Sequence, residues 1–536
     1  MALKLSNVII LLTCVPWLTT TSAELSSQPG SRNPDRFIMS ESLEPFVESL
    51  DLPSIEAEHL KSTLARSTNA SPAHRACAAA QLLLGSDIVN TPPVEQSTVD
   101  GSWSEACRLL PACAIQPRSA QHVATALKII RQFNVPFAVR SGGHSPNPGF
   151  SSIQDGILID LSRLDGITVS DDRATVSVGP GQRWGDVYTA LDPYQVSVIG
   201  GRMPNIGVGG VILGGGYHHF SAKYGLAADN VKSFEIVLAD GTIATADATK
   251  NSDLFWALKG AGPNFGIVTN FELYTVPLNK IWYEVLVVSN EDAHAVLDAF
   301  VTWQNTSASS DTKGTVGLVM ALQYITLGFV YSEPSEKRPA TFSAFDAIKP
   351  LSVAVPPTNG TVSSLGAILG AMNAPGRHDY RAASTRIDAQ LYKDVYDFWL
   401  VKAREVNKAT GANQTFAVQP APIGLAEAGN ARGGNAMGIP TQDHMWWTTL
   451  VDWENAADDE TVRSASISTT EKWRELGEER GLHLDFLYTN DASRDQSPIA
   501  TYGAANVAKL KAIALKYDPD QVFQNLQNDG FLLRKI

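Results

Sequence analysis

The sequence predicts an α+β fold in two lobes, and three observations predict it. From about residue 110 to 278, short apolar runs follow one another closely, broken by Gly and Asp turns, with brief helical stretches between them. From about 280 to 480, longer amphipathic helices alternate with extended strands. Two segments near residues 142 and 207 are too rich in glycine for a helix interior or a strand. The spacing is not a regular βαβ alternation, which argues against a doubly wound parallel sheet. A chain of 536 residues, 44% of them hydrophobic, can bury more than one core.

The elements follow in order. Lys4 and the 11-residue apolar run "VIILLTCVPWL" precede the small residues "TSA" at Thr21 to Ala23, so residues 1–23 are expected to be a secretory signal. The run is too short to span a bilayer, and no later segment looks transmembrane. Residues 24–108 form an N-terminal helical segment: "LEPFVESLDLPSIEAEHLKSTLA" and "HRACAAAQLLLG" have helical spacing. "PRSAQHVATALKIIRQFN" is a clearer helix, capped by Ser119, with Val123, Leu127, Ile130 and Phe133 on one face. "PFAVR", "GILIDL", "GITVS" and "ATVSVG" are strands, "GQRWGDVYTAL" is a short helix, and "FEIVLADGTIATA" is a hairpin turning at Asp240-Gly241. "FGIVTNFELYTV" is a further strand that closes a domain spanning 109–279. In 280–480, "EDAHAVLDAFVTWQN" and "RIDAQLYKDVYDFWLVKAREVN" are helices, and "TVGLVMALQYIT" and "HMWWTTLVDW" are strands of a second sheet. In 481–536, "YGAANVAKLKAIALKYDPDQVF" is a helix stopped at Asp518-Pro519.

A net charge of −13 disfavours nucleic acid, whose phosphates need a basic face. Four N-x-[ST] sequons, at Asn69, Asn305, Asn359 and Asn413, agree with secretion. Beyond Cys14 in the signal, Cys77, Cys107 and Cys113 allow one bridge and one remaining thiol.

The chemistry concentrates where the backbone is barest. The strand Phe137 to Val139 runs into Arg140-Ser141-Gly142-Gly143-His144, an imidazole beside glycines whose N–H groups can face an anion. A second segment holds eight glycines between Gly200 and Gly216, as backbone packed against an extended ligand would. It is not a G-x-G-x-x-G fingerprint, because Ile212 stands where the third glycine is needed, and no P-loop lysine follows. H-E-x-x-H and G-x-S-x-G are absent, and the pair His218-His219 is a weak basis for a metal, so none is expected.

Eight stretches occur in an order that carries a resemblance: "PACAIQPRSAQHVATALK", "PFAVRSGGHSPNPGFSS", "GILIDLSRL", "VSVGPGQRWGDVY", "GVGGVILGGG", "YGLAADNV", "DLFWALKGAGPNFGIVT" and "KYDPDQVF". Together they resemble the secreted fungal branch of the FAD-linked oxidases similar to berberine bridge enzyme, within the vanillyl-alcohol-oxidase superfamily. The resemblance runs from about Cys77 to the end and is thinnest between 280 and 440. It implies a two-lobed PCMH-type FAD-binding domain, and a substrate domain whose antiparallel sheet is covered by helices, with 481–536 returning to the FAD domain. It implies that His144 is joined to the flavin 8α-methyl, with Arg140, Ser141, Gly142, Gly143 and Ser145 lining the cofactor. It extends that lining to Met203, Ile206, Gly207, Gly209, Gly210, Gly214, Gly215 and Gly216, and to Gly266, Ile267 and Val268. Where members often carry a second, cysteine link, this chain has Met203, so one covalent link is expected. Ile206 stands where a valine admits oxygen in related enzymes, which makes dioxygen the expected acceptor. Tyr488 and Asn490 of "FLYTNDAS" match the family's Y-x-N segment near the substrate and are the expected catalytic residues, with His444 and Asp452 in reserve. The resemblance pairs Cys77 with Cys113; Cys107–Cys113 is the local alternative.

The expected activity is an FAD-dependent oxidoreductase that removes a hydride from a small secondary metabolite, by alcohol oxidation, desaturation or ring closure. A carbohydrate oxidase on the same fold is the alternative. A flavin-free secreted binding protein is a third reading, disfavoured by the intact R-S-G-G-H. No membrane partner is expected, and the sequence leaves the oligomeric state open.

Overall fold

The computed structural model describes residues 43–66, 70–370 and 376–536. The expected signal at 1–23 and the sequon at Asn69 lie outside these residues.

Three sheets organise the chain. In the first, Phe137–Arg140 and Cys113–Ile115 flank Ile157–Asp160 in parallel, and Val89–Asn90 adds an antiparallel edge. The helix Ala120–Phe133 makes the crossover between two of these strands. Ser119 caps it by accepting from the His122 N–H, and Val123, Leu127 and Ile130 are fully buried. The N-terminal segment is thus not helical alone; it supplies one strand of this sheet.

The second sheet is antiparallel, in the order Ile167–Val169, Thr175–Val178, Ile267–Val276, Val231–Val237, Ile243–Asp247, with Ser197–Val198 also pairing the long strand. Its hairpin turns at Gly241 with φ +85°, a conformation that glycine adopts without a Cβ penalty.

The third sheet has nine antiparallel strands drawn from residues 281–484, in the order Ser352–Gly360, Ile281–Val288, Ile325–Tyr331, Gly314–Met320, Phe416–Ala421, His444–Trp453, Arg377–Arg386 and His483–Leu484, with Asn413–Gln414 beside His444–Trp453. "TVGLVMALQYIT" is not one strand: the chain reverses after Met320 and pairs with itself from Ile325. The helices Ala293–Thr306, Ala389–Thr410 and Asp459–Glu479 cover one face around Trp282, Trp303, Trp399, Trp447 and Trp473. Strand alternation sends Trp446 the other way, into the core shared with the flanking lobe.

The C-terminal helix Ala504–Tyr517 ends before Asp518, and the chain then returns to the first sheet. Phe137 donates its N–H to Leu526 and accepts from the Asn528 N–H, so residues 526–528 lie along the strand that leads into the His144 turn. Cys77 and Cys113 are bonded, which excludes the local Cys107–Cys113 pairing, and Cys107 is free and buried. Among the described residues no helix is long and apolar enough to cross a membrane.

Candidate active site

The strand Phe137–Arg140 delivers Arg140 to a buried ion pair with Asp160 at 2.7 Å, which fixes where the following turn begins. Gly142 and Gly207 then touch backbone to backbone: a Cβ on either would overlap the other's Cα. Arg183 donates to the carbonyls of both Gly142 and Asn205, closing the same junction. Ser141 Oγ donates to the Pro180 carbonyl at 2.5 Å and accepts from the Gly209 N–H at 3.2 Å. Gly143 is left-handed, with φ +63°. The two glycine-rich segments recognised in the sequence therefore meet backbone to backbone at Gly142 and Gly207, with Arg183 and Ser141 tying them together.

His144 is half-buried at the end of this turn. Burial, reinforced by the nearby Arg183 charge, lowers its pKa to about 3, so the imidazole is neutral at ordinary pH. Its Nδ1 is 3.4 Å from the Tyr380 hydroxyl. Its ring lies on Trp103, with centroids 4.0 Å apart and planes 13° apart. Ser145 is half-buried, and its carbonyl faces the Cys107 thiol at 3.4 Å. Burial raises the pKa of that thiol to about 12, so it stays protonated.

Met203 and Ile206 are half-buried beside the junction, and the Ile206 carbonyl accepts from the Trp184 N–H. Gly210 is exposed, and nothing lies within 4 Å of where its Cβ would be. Gly214, Gly215 and Gly216 pack under Asn490, Met437 and Ala227 respectively. Gly266 lets its strand approach the Val237 carbonyl, which a Cβ would meet at 2.6 Å. Ile267 and Val268 send their side chains into two hydrophobic cores, so only their backbone is free to line a ligand.

Tyr488 sits differently from a substrate-facing phenol. It is 3% exposed and stacks on Trp446 at 4.7 Å. Its hydroxyl accepts from the backbone N–H groups of Gly216 at 3.1 Å and Tyr217 at 2.7 Å, and from Asn490 Nδ2 at 3.2 Å. Burial raises its pKa further above the ordinary phenol value. Asn490 also donates to the Val211 carbonyl at 3.0 Å. The pair thus fastens the 211–217 segment. His444 has both nitrogens engaged, one with the Gln442 carbonyl and one accepting from Trp446 Nε1. Asp452 accepts from His378 Nδ1 at 2.6 Å.

Side chains that the sequence reading passed over complete the site. Tyr380 and His378 come from the strand Arg377–Arg386. Gln419 Nε2 donates to Asp491 Oδ2 at 2.6 Å, and its Oε1 accepts from Arg202. Arg202 lies over the Tyr217 ring, 4.8 Å from the centroid. Burial raises the Asp491 carboxyl to about 6, against the opposing pull of Arg202 and Gln419. Burial, with a smaller push from the Asp491 charge, raises the pKa values of the Tyr488, Tyr380 and Tyr217 phenols.

A bare-backbone junction ending in a neutral imidazole fits a flavin dinucleotide. Gly142 and Gly207 meet backbone to backbone, the space beside Gly210 is open, Asn205 Oδ1 is buried without a hydrogen-bond partner, and the imidazole is in its nucleophilic form. A model of the FAD binding domain family matches residues 111–247. An FAD-dependent monooxygenase of Arthrobotrys oligospora is 38% identical over 436 residues, covering 80% of this chain and 84% of the relative. This chain is an FAD-dependent oxidoreductase of the family of this fungal monooxygenase. The bifunctional solanapyrone synthase of Alternaria solani is similar to this oxidoreductase at 34% identity, over 79% of this chain and 82% of the relative. The fold matches the glucooligosaccharide oxidase of Acremonium strictum, which carries a 6-S-cysteinyl, 8α-N1-histidyl FAD, with TM-score 0.69 and 21% identity over 85% of this chain and 99% of the other.

Proposed function

We propose that the oxidoreductase holds FAD through a single covalent link at His144 and removes a hydride from a small secondary-metabolite substrate, with dioxygen as the final electron acceptor. The observation that carries this reading is the place of His144, at the end of the turn where the Gly142 and Gly207 backbones touch, with burial holding its imidazole neutral. Bound FAD supplies the two-electron acceptor. Arg140 to Ser145 and Met203 to Gly216 would hold it, chiefly through backbone. Met203 has no thiol to form a second link, which supports attachment at one point only.

The substrate proton needs an acceptor within hydrogen-bond reach. Tyr488 has its oxygen committed to two backbone donors and a pKa above the ordinary range, which is unfavourable for that role. Asp491 is the better base. It is half-buried, its Oδ2 is held by Gln419, and a carboxyl near 6 is ionised at neutral pH yet basic enough to take a proton. Arg202, reached through Gln419, keeps the cluster in place. The sheet strands Arg377–Arg386, Phe416–Ala421 and His444–Trp453 supply the remaining wall, so substrate choice resides in the region we assign to the substrate domain, 280–480.

The reading includes passage through the secretory pathway. Asn305, Asn359 and Asn413 are exposed, as glycosylation requires, and treatment with an endoglycosidase should lower the apparent mass of the native protein. The chemistry is tested with purified protein, candidate metabolites and ¹⁸O₂. One hydrogen peroxide per oxidised product with no label in the product is expected. Label in the product would replace hydride removal with oxygen insertion. His144→Ala should release its flavin on acid precipitation, whereas the wild type should retain it.

A further inference from the structure

Three rings lie in a pile beside the His144 turn. Trp103 is sandwiched between His144, at 4.0 Å and 13°, and His378, at 3.7 Å and 3°. The pile is anchored at both ends. The backbone N–H of Trp103 donates to the Gly143 carbonyl at 2.9 Å, so the main chain that carries the indole is fastened to the turn it covers. Ser104, the next residue, accepts the backbone N–H of His378 at 3.0 Å. His378 is 1% exposed, and its Nδ1 donates to Asp452 at 2.6 Å. Gly101 lies over the Arg140 guanidinium, and Gly143 lies against the Gly101 carbonyl, so residues 101–104 follow the turn from below.

An imidazole at the end of a glycine turn has freedom that a stereospecific attack cannot use. Stacking on a flat indole removes motion out of the ring plane. The Tyr380 hydroxyl, 3.4 Å from Nδ1, distinguishes the two ring nitrogens. Neither constraint would hold if the indole could swing, and the buried His378–Asp452 pair behind it prevents that.

We propose that Trp103 is a positioning residue for covalent flavin attachment, clamped between His144 and the His378–Asp452 pair so that the His144 ring presents one nitrogen to the flavin methyl. The proposal rests on the covalent reading of His144. In that step the imidazole N–H and one C–H of the 8α-methyl are lost and a C–N bond forms. The two electrons and two protons pass through the flavin to dioxygen, which leaves as hydrogen peroxide. Trp103 touches none of the reacting atoms; it sets the angle and distance at which they meet. A small displacement of a positioned nucleophile costs on the order of 10²-fold in rate.

The test measures attachment, not turnover. Wild type, Trp103→Leu, Trp103→Phe and Asp452→Asn are purified as full-length proteins from flavin-limited expression. For each, flavin retained after acid precipitation is compared with total flavin released by proteolysis, and the rise of the retained fraction is followed after adding FAD. The expected result is native flavin binding in all four, attachment slowed by about 10²-fold in Trp103→Leu, rescue towards wild type in Trp103→Phe, and an intermediate rate in Asp452→Asn. Trp103→Leu attaching flavin at the wild-type rate would overturn the proposal. If Trp103→Leu does not fold, Asp452→Asn decides: its indole is intact, and an unchanged rate there overturns the clamp. Loss of flavin from the wild type would remove the covalent reading itself, an outcome distinguishable because it needs no variant.

Discussion

On one side of His144 the chain offers backbone; on the other it offers side chains. The wall proposed above for the flavin is Gly142 against Gly207, with Ser141, Gly209 and Arg183 tying carbonyls and N–H groups together. The wall proposed for the substrate is made of side chains, Trp103 and Tyr380 by His144 and the pair Gln419 and Asp491, brought from four separate stretches of chain. The difference teaches how specificity is divided. A backbone wall can hold only what many family members share, because glycine carries no side chain to vary. A side-chain wall can change its substrate without disturbing the other.

Substitutions on the two walls should therefore fail differently, and the largest effect should come from the backbone wall. Gly142→Ala forces a Cβ into the Gly207 backbone, which cannot yield as a flexible side chain would. The expected outcome is loss of nearly all bound flavin and destabilisation by about 1–3 kcal/mol or more, read by flavin absorbance per protein and by thermal unfolding. Full flavin content would show that the junction is looser than its geometry.

On the other wall, Asp491→Asn should keep the flavin and slow anaerobic flavin reduction by about 10²–10⁴-fold. The sign with pH follows from the raised carboxyl. Activity should fall as pH drops through about 6, because the base is then protonated, and that limb should vanish in the variant. A pH profile of kcat/KM unchanged by the substitution would remove Asp491 from the chemistry.

Tyr488→Phe separates fastening from catalysis. It strips two backbone N–H groups of their acceptor, at a cost of about 1–3 kcal/mol in stability, while anaerobic reduction should slow far less than in Asp491→Asn. Equal slowing would restore the phenol as the base. The smallest effect is expected from Ile206→Val, a change of one methylene. It should speed re-oxidation by air in stopped-flow traces and leave reduction unchanged; no change in either half would end the assignment of residue 206 as an oxygen gate.

The same division explains what the sequence revealed. The Arg140 to His144 turn and the glycines from Gly200 to Gly216 were legible because glycine in such density has few uses other than close backbone approach. The strand Arg377–Arg386 was not. Its "RHDYRAASTR" lacks apolar alternation because its charged groups are tied up in ion pairs: Arg377 with Asp459, His378 with Asp452, Asp379 with Arg463, and Arg381 with Asp495. Such partners are 74 to 114 residues away, and no local pattern reports them. Tyr488 was found by motif, but its partners, Gly216 and Tyr217, lie 272 and 271 residues upstream, so its direction was invisible. Asp491 stood one residue past the recognised motif and became visible only through Gln419. Trp103 lay in a segment read as helical packing and not as part of the site.

The pairing of residues 526–528 with Phe137 has a consequence for synthesis. The strand that leads into the His144 turn obtains a backbone partner from residues far downstream in the chain. A nascent chain can fold its first helices and close Cys77 on Cys113 early, yet the turn bearing His144 stays without that support until residues 526–528 have been made. A chain cut before residue 526 should therefore be colourless and not partly active.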